Sequence, residues 1–468
     1  MIQEKSVGEG VLPPLEVDLE LIRRLDRNGP RYTSYPTADR FVQSFDAECY
    51  AHWLKNREKG GALSLYFHIP FCNTLCFYCA CNKVITKDFS KAERYVQYMI
   101  KELGMQATLL GEGQPVEQLH WGGGTPTFLS HDQMRALMGA TRQHFKLVDE
   151  GEYSIEIDPR KVGDDTIALL GELGFNRISL GVQDFDPVVQ KAVNRIQSEE
   201  ETLQVIRAAR ANGFKSVSID LIYGLPKQTL EGVKRTLEKV IAANPDRVSI
   251  YNYAHLPTIF KPQRRIHEEE LPAAQVKLDI LSLAVRTMIE AGYVYIGMDH
   301  FAKPDDELAV AQRQGKLHRN FQGYSTHSDC DLVAIGVSSI GKIGPTYSQN
   351  HRELEDYYEA LDRDELPIMR GLELNADDVV RREIIQALMC HFELSKPTFE
   401  AEFKVDFDSY FAVELTELAE YEREGLLALA PQQITVTPKG RMLIRNICMV
   451  FDKHLRTKQQ HARYSKVI

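Results

Sequence analysis

The sequence contains no apolar segment long enough to cross a membrane. Its 468 residues hold no window that approaches the roughly 18 consecutive apolar residues of a membrane helix. Residues 1–20 are acidic and carry no basic stretch followed by an apolar one, so no secretory signal is expected. We therefore expect a cytoplasmic protein without a membrane span.

The sequence also lacks an excess of positive charge. It has 56 Lys and Arg residues against 66 Asp and Glu residues, which gives a net charge of −10 at pH 7. A nucleic-acid partner needs a dense basic surface against its phosphates, so we expect none. An anionic ligand would have to be bound by a local basic patch. No pattern predicts oligomerisation, and a monomer is expected.

A disulfide framework is absent as well. Four of the eight cysteines, namely Cys49, Cys330, Cys390 and Cys448, are scattered singly, and the other four lie in one loop. Free thiols in this arrangement are typical of a reducing compartment. Outside that loop the chain has no second pair of closely spaced cysteines of the kind from which structural zinc sites are usually built.

The four clustered cysteines are the most informative feature that the sequence does contain. Cys72, Cys76 and Cys79 have the spacing CxxxCxxC. Three thiolates can ligate three irons of a [4Fe–4S] cluster and leave the fourth iron open to a small molecule. Cys81 is not expected to be a ligand, because the two residues that follow Cys79 span only about 6.6 Å when extended. A zinc knuckle and a ferredoxin-like site with four cysteine ligands are the alternatives.

Short runs rich in Val, Ile, Leu and aromatic residues alternate with helical patterns over the first half of the chain. The predicted strands are 63–69, 116–121, 153–158, 177–182, 216–222 and 247–253. The predicted helices are 91–110, 132–145, 165–173, 200–212 and 230–243. This alternation predicts an α/β fold with a parallel sheet. Six units are too few for a closed eight-stranded barrel, so we expect an incomplete (β/α)6 three-quarter barrel, with a flavodoxin-like layer as the alternative.

Polar residues cluster where the predicted strands end. They are Glu156, Asp158, Gln183, Asp184, Asp220 and residues 252–255. In barrels of parallel strands the carboxyl ends form the active site, so this distribution favours a barrel. Gly122, Gly123 and Gly124 follow the second strand and could let backbone amides approach a ligand closely. The alternative interpretations are a plain turn for the glycines and a helix cap for Glu156.

The remainder of the chain is expected to form flanking elements and a smaller domain. A helical run from Leu271, a strand over 293–298 and a glycine-bearing segment over 332–344 would flank the barrel. Helices over 377–392 and 408–424, strands over 426–429 and 434–436 and a last helix predict a mainly helical, winged-helix-like C-terminal domain. The expected domains are an N-terminal extension packed on the barrel (1–50), the barrel with its flanking elements (51–370) and the C-terminal helical domain (371–468).

The motifs also carry a resemblance to known enzymes. Cys72-x3-Cys76-x2-Cys79, with Tyr78 before the third cysteine, resembles the signature of the radical S-adenosylmethionine (SAM) enzymes. Within that superfamily, four segments resemble the oxygen-independent coproporphyrinogen III oxidase (dehydrogenase) family: Gly29-Pro-Arg-Tyr-Thr-Ser-Tyr-Pro-Thr37, Cys79-Ala-Cys81-Asn-Lys83, His120-Trp-Gly-Gly-Gly-Thr-Pro-Thr127 and Asn320-Phe-Gln-Gly-Tyr324. The resemblance extends from residue 22 to the C-terminus. It implies the same incomplete barrel, a helical C-terminal domain, one [4Fe–4S] cluster and one or two bound SAM molecules.

The resemblance further implies roles for individual residues. The cluster ligands would be Cys72, Cys76 and Cys79, with Cys81 unligated. The SAM on the cluster would contact Tyr66, Gly123, Glu156 and Ile340. A second cofactor site would comprise Tyr78, Gly124, Thr125, Gln183, Arg195, Asp220 and Ala254. Phe321 and Gln322 match a motif that the family needs for activity, and with Tyr66 and Glu156 they would be the catalytic residues.

The reaction implied is oxidative decarboxylation of two propionate side chains of coproporphyrinogen III to vinyl groups, which gives protoporphyrinogen IX in haem biosynthesis. The reduced cluster cleaves SAM to methionine and a 5′-deoxyadenosyl radical, and this radical takes hydrogen from a propionate β-carbon. A low-potential electron donor and a terminal electron acceptor are needed, and the sequence identifies neither. The substrate's carboxylates require charge-assisted contacts. The candidates for these contacts are Arg31, Lys227, Lys261, Arg264, Arg265 and Arg319.

Two other functions are possible interpretations of the same loop. A haem-trafficking protein of this superfamily would bind haem without decarboxylating it, and it would be expected to lack the segment 31–37 and the fourth cysteine, which are both present here. A pure electron carrier would need a fourth cluster ligand and no binding pocket, which a barrel argues against.

Overall fold

The computed structural model describes residues 15–57, 61–327 and 330–456, so the outer ends of the expected N-terminal and C-terminal domains lie outside the described residues. The chain divides into two compact units. The first, which we call the cysteine unit, comprises Ala38–Ala291 and Asp329–Asn375. The second, the C-terminal unit, comprises Met1–Thr37, Gly292–Ser328 and Ala376–Ile468. Every helix of the described residues is too short or too polar to cross a bilayer.

The strands are short, and most of them lie between residues 63 and 373. In chain order they are β1 (Leu63–Ile69), β2 (Phe71–Cys72), β3 (Val84–Ile85), β4 (Gln114–Gly123), β5 (Phe145–Ile157), β6 (Arg177–Gln183), β7 (Ser216–Tyr223), β8 (Arg247–Asn252), β9 (Val294–Gly297), β10 (His300–Ala302), β11 (His318–Asn320), β12 (Gly323–Ser325), β13 (Asp331–Ile335), β14 (Ile340–Ile343), β15 (Thr346–Asn350), β16 (Ile368–Glu373), β17 (Glu393–Ser395), β18 (Leu427–Leu429) and β19 (Gln433–Val436).

The helices alternate with these strands and then dominate the C-terminal part. In chain order they are α1 (Leu19–Leu25), α2 (Ala47–Lys55), α3 (Ser90–Leu110), α4 (His131–His144), α5 (Asp164–Glu172), α6 (Pro187–Ala192), α7 (Glu199–Ala211), α8 (Leu230–Ala243), α9 (Ala274–Glu290), α10 (Glu307–Arg313), α11 (Leu354–Asp362), α12 (Ala376–His391), α13 (Lys396–Phe403), α14 (Phe407–Tyr410), α15 (Ala412–Arg423) and α16 (Ile444–Val450).

The cysteine unit is built on a sheet whose central strands are parallel. The strand order is β16-β15-β14-β13-β1-β4-β5-β6-β7-β8. The strands from β13 to β8 are parallel, and β14, β15 and β16 extend one edge in antiparallel pairing. Because β1, β4, β5, β6, β7 and β8 are parallel, their carboxyl ends lie along one edge of the sheet. The predicted α/β fold and its six predicted strands are confirmed.

Alternation along β1 separates the core of this unit from its functional face. Leu65 and Phe67 are completely buried, and the Phe67 ring packs edge-on against Trp121 of β4 at a centroid distance of 6.1 Å. Successive side chains of a strand point to opposite faces. Tyr66 and His68 therefore point to the other face of the sheet, where the polar residues of neighbouring strands are found.

Two elements differ from their predictions. The segment predicted only as a glycine-bearing flank contributes β13, a further parallel strand beside β1. The helix predicted over 408–424 is interrupted, since α14 ends before Phe411 and α15 begins after it, with backbone angles at Phe411 of φ −108° and ψ 27°. The Phe411 ring is completely buried, 5.0 Å from the Phe407 ring and 5.6 Å from the Phe451 ring. Burial of the aromatic ring thus coincides with the break in the helix.

The C-terminal unit combines helices with small antiparallel sheets. Strands β17, β19 and β18 form a three-stranded sheet beside the helices α12 to α16, and β11 pairs with β12 in a hairpin. The segment before β1 belongs partly to this unit. The Tyr32 hydroxyl donates to the Asp452 carboxylate at 3.0 Å, and the Arg445 Nε donates to the Pro30 carbonyl at 2.8 Å. These contacts attach residues 30–32 to the region of the last helix.

Candidate active site

The cysteine loop lies directly after β1, at the carboxyl edge of the parallel strands. The short strands β2 and β3 pair with each other and close the base of the loop. Its middle is attached to the end of α6, because the Phe77 backbone N–H donates to the Val193 carbonyl at 3.0 Å. The Asn194 side-chain amide donates to the Leu75 carbonyl at 2.8 Å. The loop is therefore held at both its base and its middle.

Two guanidinium groups face the sulfur of Cys76. Arg160 Nη2 lies 3.8 Å and Arg195 Nη1 lies 3.7 Å from Cys76 Sγ. Asp158 holds both arginines, with its Oδ1 2.8 Å from Arg160 Nε and 3.5 Å from Arg195 Nη2. Burial raises the pKa of Asp158, but the two guanidinium groups outweigh burial and lower it below its usual value. This arrangement places two positive charges next to the Cys76 sulfur.

The other thiols of the loop also have specific partners. The Thr125 hydroxyl lies 3.5 Å from Cys72 Sγ, while burial raises the pKa of Cys72 to about 11. A hydrogen bond with the Cys81 thiol lowers the pKa of Cys79, although burial opposes this, and the charge of Lys83 lowers it further. Lys83 Nζ also donates to the backbone carbonyls of Cys79 and Cys81, at 3.1 and 3.2 Å. Each thiol thus has a donor or a cation next to it.

This donor set fits a multi-iron cluster better than a single zinc ion. A zinc–sulfur bond is about 2.3 Å, so two sulfur ligands of one zinc ion lie at most about 4.6 Å apart. The sulfur atoms of Cys72, Cys76 and Cys79 do not all lie within 4.8 Å of one another. The wider spacing of the sulfur atoms and the surrounding cations fit a negatively charged cluster of several iron atoms.

Glu156 at the end of β5 connects the neighbouring strands. Its Oε2 accepts from the Gly123 backbone N–H at 3.1 Å, and its Oε1 lies 3.4 Å from His120 Nε2. The Tyr66 ring stacks on the His120 ring at a centroid distance of 5.9 Å and an angle of 11°. Burial raises the pKa of Glu156, but the hydrogen bond and charge of His120 and the Gly123 amide outweigh it and lower the pKa. The carboxylate is therefore ionised at neutral pH and can bind a cationic ligand group.

The glycines after β4 are required by close packing. At Gly123 the φ angle is 114°, and a Cβ atom would lie 2.7 Å from the His68 ring. At Gly124 a Cβ atom would lie 2.5 Å from the Pro70 carbonyl oxygen. The backbone N–H groups of both glycines donate within the protein, that of Gly124 to the Ile69 carbonyl at 2.8 Å. The glycines thus let this turn lie directly against the start of the cysteine loop.

Asp220 on β7 is a second carboxyl group of the site, and it is half-buried like Glu156. It accepts from the Ser179 hydroxyl at 2.8 Å. Burial is the main cause that raises its pKa to about 6, and the negative charge of Glu156 raises it further, against the hydrogen bond from Ser179. The two carboxyl groups consequently differ, with Glu156 ionised and Asp220 close to its pKa at near-neutral pH.

One cavity of about 340 Å³ joins these groups at the carboxyl edge of the sheet. Its lining includes Cys72, Cys76, Tyr78, Cys79, Gly123, Gly124, Thr125, Glu156, Gln183, Arg195 and Asp220 from the predicted site, together with Asn73, Thr74, Cys81, Lys83, Ile157, Asp158, Arg160, Lys161, Ser179, Gly181, Ile222 and Tyr251. The structure therefore brings the three predicted cluster cysteines, two of the four residues of the first implied SAM site and six of the seven residues of the second into one cavity.

Three predicted site residues of the cysteine unit do not line this cavity. Tyr66 lies behind it, stacked on His120, and its hydroxyl lies 3.0 Å from the Nδ1 atom of His68. Ala254 follows β8, and its carbonyl accepts from the side-chain amide of Gln263 at 3.2 Å. Ile340 is the first residue of β14.

Phe321 and Gln322 belong to the C-terminal unit. They form the turn of the β11–β12 hairpin, where the Gln322 backbone N–H donates to Asn320 Oδ1 at 2.8 Å. Among the described residues, the buried Nε2 of Gln322 has no hydrogen-bond partner. Their roles stay predictions.

The basic candidates have very different surroundings. Three of them lie exposed on one short 3-10 helix: Lys261, Arg264 and Arg265. Arg31 and Lys227 are already in ion pairs, with Asp299 at 2.7 Å and Glu270 at 3.1 Å. Arg319 is only 4% exposed and has no ion pair with any described residue.

Sequence reasoning missed Arg160, His68 and His120. A signal for Arg160 was present, since Asp158 followed by a proline is a typical helix N-cap, and the short turn brings Arg160 back onto Asp158. The two histidines could have been found from strand alternation, because His68 shares a face of β1 with Tyr66. His120 stands opposite Tyr66 in the register of β4 with β1.

Comparison with known proteins places this site in a family. The Radical SAM superfamily profile matches residues 66–240, and the HemN C-terminal domain profile matches residues 374–443. The oxygen-independent coproporphyrinogen III oxidase of Pseudomonas aeruginosa is 52% identical over 461 residues, covering 98% of this chain and 100% of the relative. The enzyme of the same name from Escherichia coli is 48% identical and covers 97% of this chain and 99% of the relative.

A solved structure agrees with these sequence matches. Coproporphyrinogen III oxidase (HemN) from Escherichia coli, described as a radical SAM enzyme, superimposes with a TM-score of 0.91 at 48% identity. The match covers 94% of this chain and 100% of the other. The chain therefore belongs to the oxygen-independent coproporphyrinogen III oxidase family of the radical SAM superfamily.

Proposed function

We propose that the chain converts coproporphyrinogen III to protoporphyrinogen IX by oxidative decarboxylation of two propionate side chains. The observation that carries this proposal is the cavity in which a three-cysteine loop meets Glu156 and the glycine turn. Relatives at 48–52% identity, matched along almost their whole length, are named for this activity. The reaction is a step of haem biosynthesis.

The cysteine loop would hold one [4Fe–4S] cluster through Cys72, Cys76 and Cys79. When bound, the cluster and SAM supply a 5′-deoxyadenosyl radical, which removes hydrogen from a substrate carbon. Arg160 and Arg195 keep negative charge on Cys76 favourable, since they already face its sulfur. Cys81 is not assigned as a ligand, and it donates to Cys79 instead.

The remaining cavity residues would bind SAM. Glu156 would accept hydrogen bonds from a cationic or hydroxyl group of the first SAM, since its carboxylate is ionised. That molecule would also lie near Gly123, Tyr66 and Ile340. A second molecule would lie against a group of residues on the neighbouring strands: Tyr78, Gly124, Thr125, Gln183, Arg195, Asp220 and Ala254. Phe321 and Gln322 of the C-terminal unit would complete the set that the reaction needs.

We further infer the finer architecture and partners. The chain order of β1, β4, β5, β6, β7 and β8 in the sheet supports an open three-quarter barrel rather than a flavodoxin-like layer, whose strand order reverses at a switch point. The β17-β19-β18 sheet among helices supports a winged-helix-like C-terminal domain over 371–468, with 1–50 as an N-terminal extension and 51–370 as the catalytic region. The enzyme would act as a cytoplasmic monomer with a low-potential electron donor and a separate terminal acceptor.

The proposal is tested with reconstituted protein under anaerobic conditions. The assay contains SAM, a low-potential reductant, an electron acceptor and coproporphyrinogen III, and chromatography measures porphyrins and 5′-deoxyadenosine. We expect a protoporphyrin product that is lost in Cys72→Ser and kept in Cys49→Ser, because Cys49 is exposed and does not line the cavity. Formation of 5′-deoxyadenosine without porphyrin turnover would contradict the assigned substrate. Haem binding without either product would instead favour a trafficking protein.

A further inference from the structure

The β11–β12 hairpin of the C-terminal unit carries a buried cation without an internal partner. Arg319 is 4% exposed, and its Nε and Nη1 atoms are enclosed without a hydrogen-bond partner among the described residues. Its backbone is well satisfied, since the Arg319 N–H donates to Gln386 Oε1 at 3.2 Å and the Gln386 amide donates to the Arg319 carbonyl at 2.8 Å. The guanidinium group lies over the Tyr324 ring at 4.8 Å from its centroid. The side chain is therefore held in place, but its charge is not neutralised.

The cations around Arg319 have the partners that it lacks. Arg31 forms an ion pair with Asp299 at 2.7 Å. Arg445 donates to the backbone carbonyls of Gly29 and Pro30. Burial lowers the pKa of Arg445 to about 10, and the positive charges of Arg31 and Arg319 lower it further while Asp299 opposes them. Arg31, Arg319, Arg445 and Asp299 are therefore close enough to influence one another's charge, and we call them the Arg319 neighbourhood.

An unpaired buried guanidinium group is costly, because arginine stays protonated and loses its hydration. An anion bound to the guanidinium group would offset this lost hydration. The planar N–H donors of arginine match the two oxygens of a carboxylate well. A second donor is present in the same hairpin, since the buried Nε2 of Gln322 is also without a partner among the described residues. The Asp299 carboxylate of the Arg319 neighbourhood already pairs with Arg31.

We propose that Arg319 binds a carboxylate group of the substrate and so selects a porphyrinogen that carries propionate side chains. This inference rests on the proposed function. It assigns to substrate binding one of the six basic candidates from the sequence, which we call the basic pool: Arg31, Lys227, Lys261, Arg264, Arg265 and Arg319. Arg319 is a binding residue in this proposal and takes no part in the radical step.

The test measures equilibrium binding of two porphyrins to the reconstituted holoenzyme by fluorescence quenching. Coproporphyrin III carries four carboxylates, and its tetramethyl ester carries none. We expect Arg319→Gln to weaken coproporphyrin binding by about 10-fold to 100-fold, as for the loss of one charge-assisted contact, and to leave ester binding unchanged. Arg319→Lys should recover part of the affinity. The control is Arg24→Gln, because Arg24 belongs to the same unit and its side chain is 57% exposed.

Iron content and thermal unfolding of each variant show whether it is folded and loaded. Unchanged coproporphyrin affinity in a folded Arg319→Gln protein would overturn the inference. An equal loss of affinity for both porphyrins would also overturn it, because the residue would then only support the fold of the hairpin. If the wild-type protein neither binds coproporphyrin nor turns over coproporphyrinogen III, the proposed function itself fails. Wild-type turnover with an unaffected Arg319→Gln variant refutes only the role of Arg319.

Discussion

Two of the regions that hold enclosed guanidinium groups differ in what neutralises these groups. In the cavity beside the cysteine loop, Arg160 and Arg195 share the Asp158 carboxylate and face the Cys76 sulfur. In the β11–β12 hairpin, Arg319 has no such partner among the described residues. The first region is organised by the chain's own anions before any cofactor arrives. The second region lacks such an anion among the described residues, and this difference is the basis for the proposed role of Arg319 in substrate binding.

The largest expected effect tests whether Cys76 is a cluster ligand rather than only a contact of the two arginines. Cys76→Ser should abolish turnover and lower the iron content of the reconstituted protein, because a hydroxyl group is a poor ligand for iron in a sulfur cluster. Cys81→Ser is the matched control in the same loop and should keep the iron. Iron analysis and absorption spectra measure both. Equal iron loss in the two variants would show that Cys81 is a fourth ligand.

The cysteine loop and the strands were predictable because their signals are local. The spacing of Cys72, Cys76 and Cys79 can be read from eight residues, and the six strands follow from short apolar runs. The polar ends of these strands could also be placed together, because parallel strands end at one edge. This is why Glu156 and Asp220 were expected near the loop before their contacts were known.

Features that depend on distant residues could not be predicted. Sequence alone does not show that Gly123 must lack a side chain because of the His68 ring, or that Asp158 holds two arginines. The compact units were equally hidden, because the segment 292–328 lies within the chain but groups with the C-terminal residues. In the sequence the members of the basic pool differ from other residues only by their charge. In the structure Arg319 is the buried member, at 4% exposure, whereas the others are at least partly exposed.

The next largest effect concerns the cations at Cys76. Arg160→Gln removes one of the two guanidinium groups and leaves Asp158 and Arg195 in place. Loss of a donor around a metal ligand typically costs about 10-fold to 100-fold in activity or affinity. We expect a lower reduction potential of the cluster, because positive charge and N–H donors near sulfur stabilise the reduced state. Potentiometric titration followed by electron paramagnetic resonance measures this potential.

Lys161 provides the control for this experiment. It also lines the cavity and follows Arg160 directly, but no contact joins it to a cysteine sulfur. Lys161→Gln should therefore shift the potential less than Arg160→Gln does. Equal shifts in both variants would mean that the general positive potential of the cavity matters, and not the contact with Cys76.

A smaller effect is expected on stability, from the half-buried Asp220. Its pKa is raised from 3.8 to about 6 in the folded protein, so the folded state binds its proton more tightly than the unfolded state. Stability is therefore lost as the pH rises from about 3.8 to about 6, and the full penalty persists above pH 6. Two pKa units correspond to at most about 3 kcal/mol. Asp220→Asn should raise the melting temperature at pH 8 and have little effect at pH 4, as measured by anaerobic thermal unfolding. An equal effect at both pH values would exclude ionisation as its cause.

The smallest effect is expected at Lys227, a member of the same basic pool as Arg319. Lys227 pairs with Glu270 at 3.1 Å, and its side chain is 44% exposed. Exposed ion pairs contribute about 0–1 kcal/mol, so Lys227→Gln should change stability little and coproporphyrin affinity by less than about twofold. Fluorescence titrations alongside Arg319→Gln make the comparison direct. If Lys227→Gln weakens binding as much as Arg319→Gln, then an internal partner does not disqualify a cation from substrate binding. The distinction between paired and unpaired cations would then lose its predictive value for this protein.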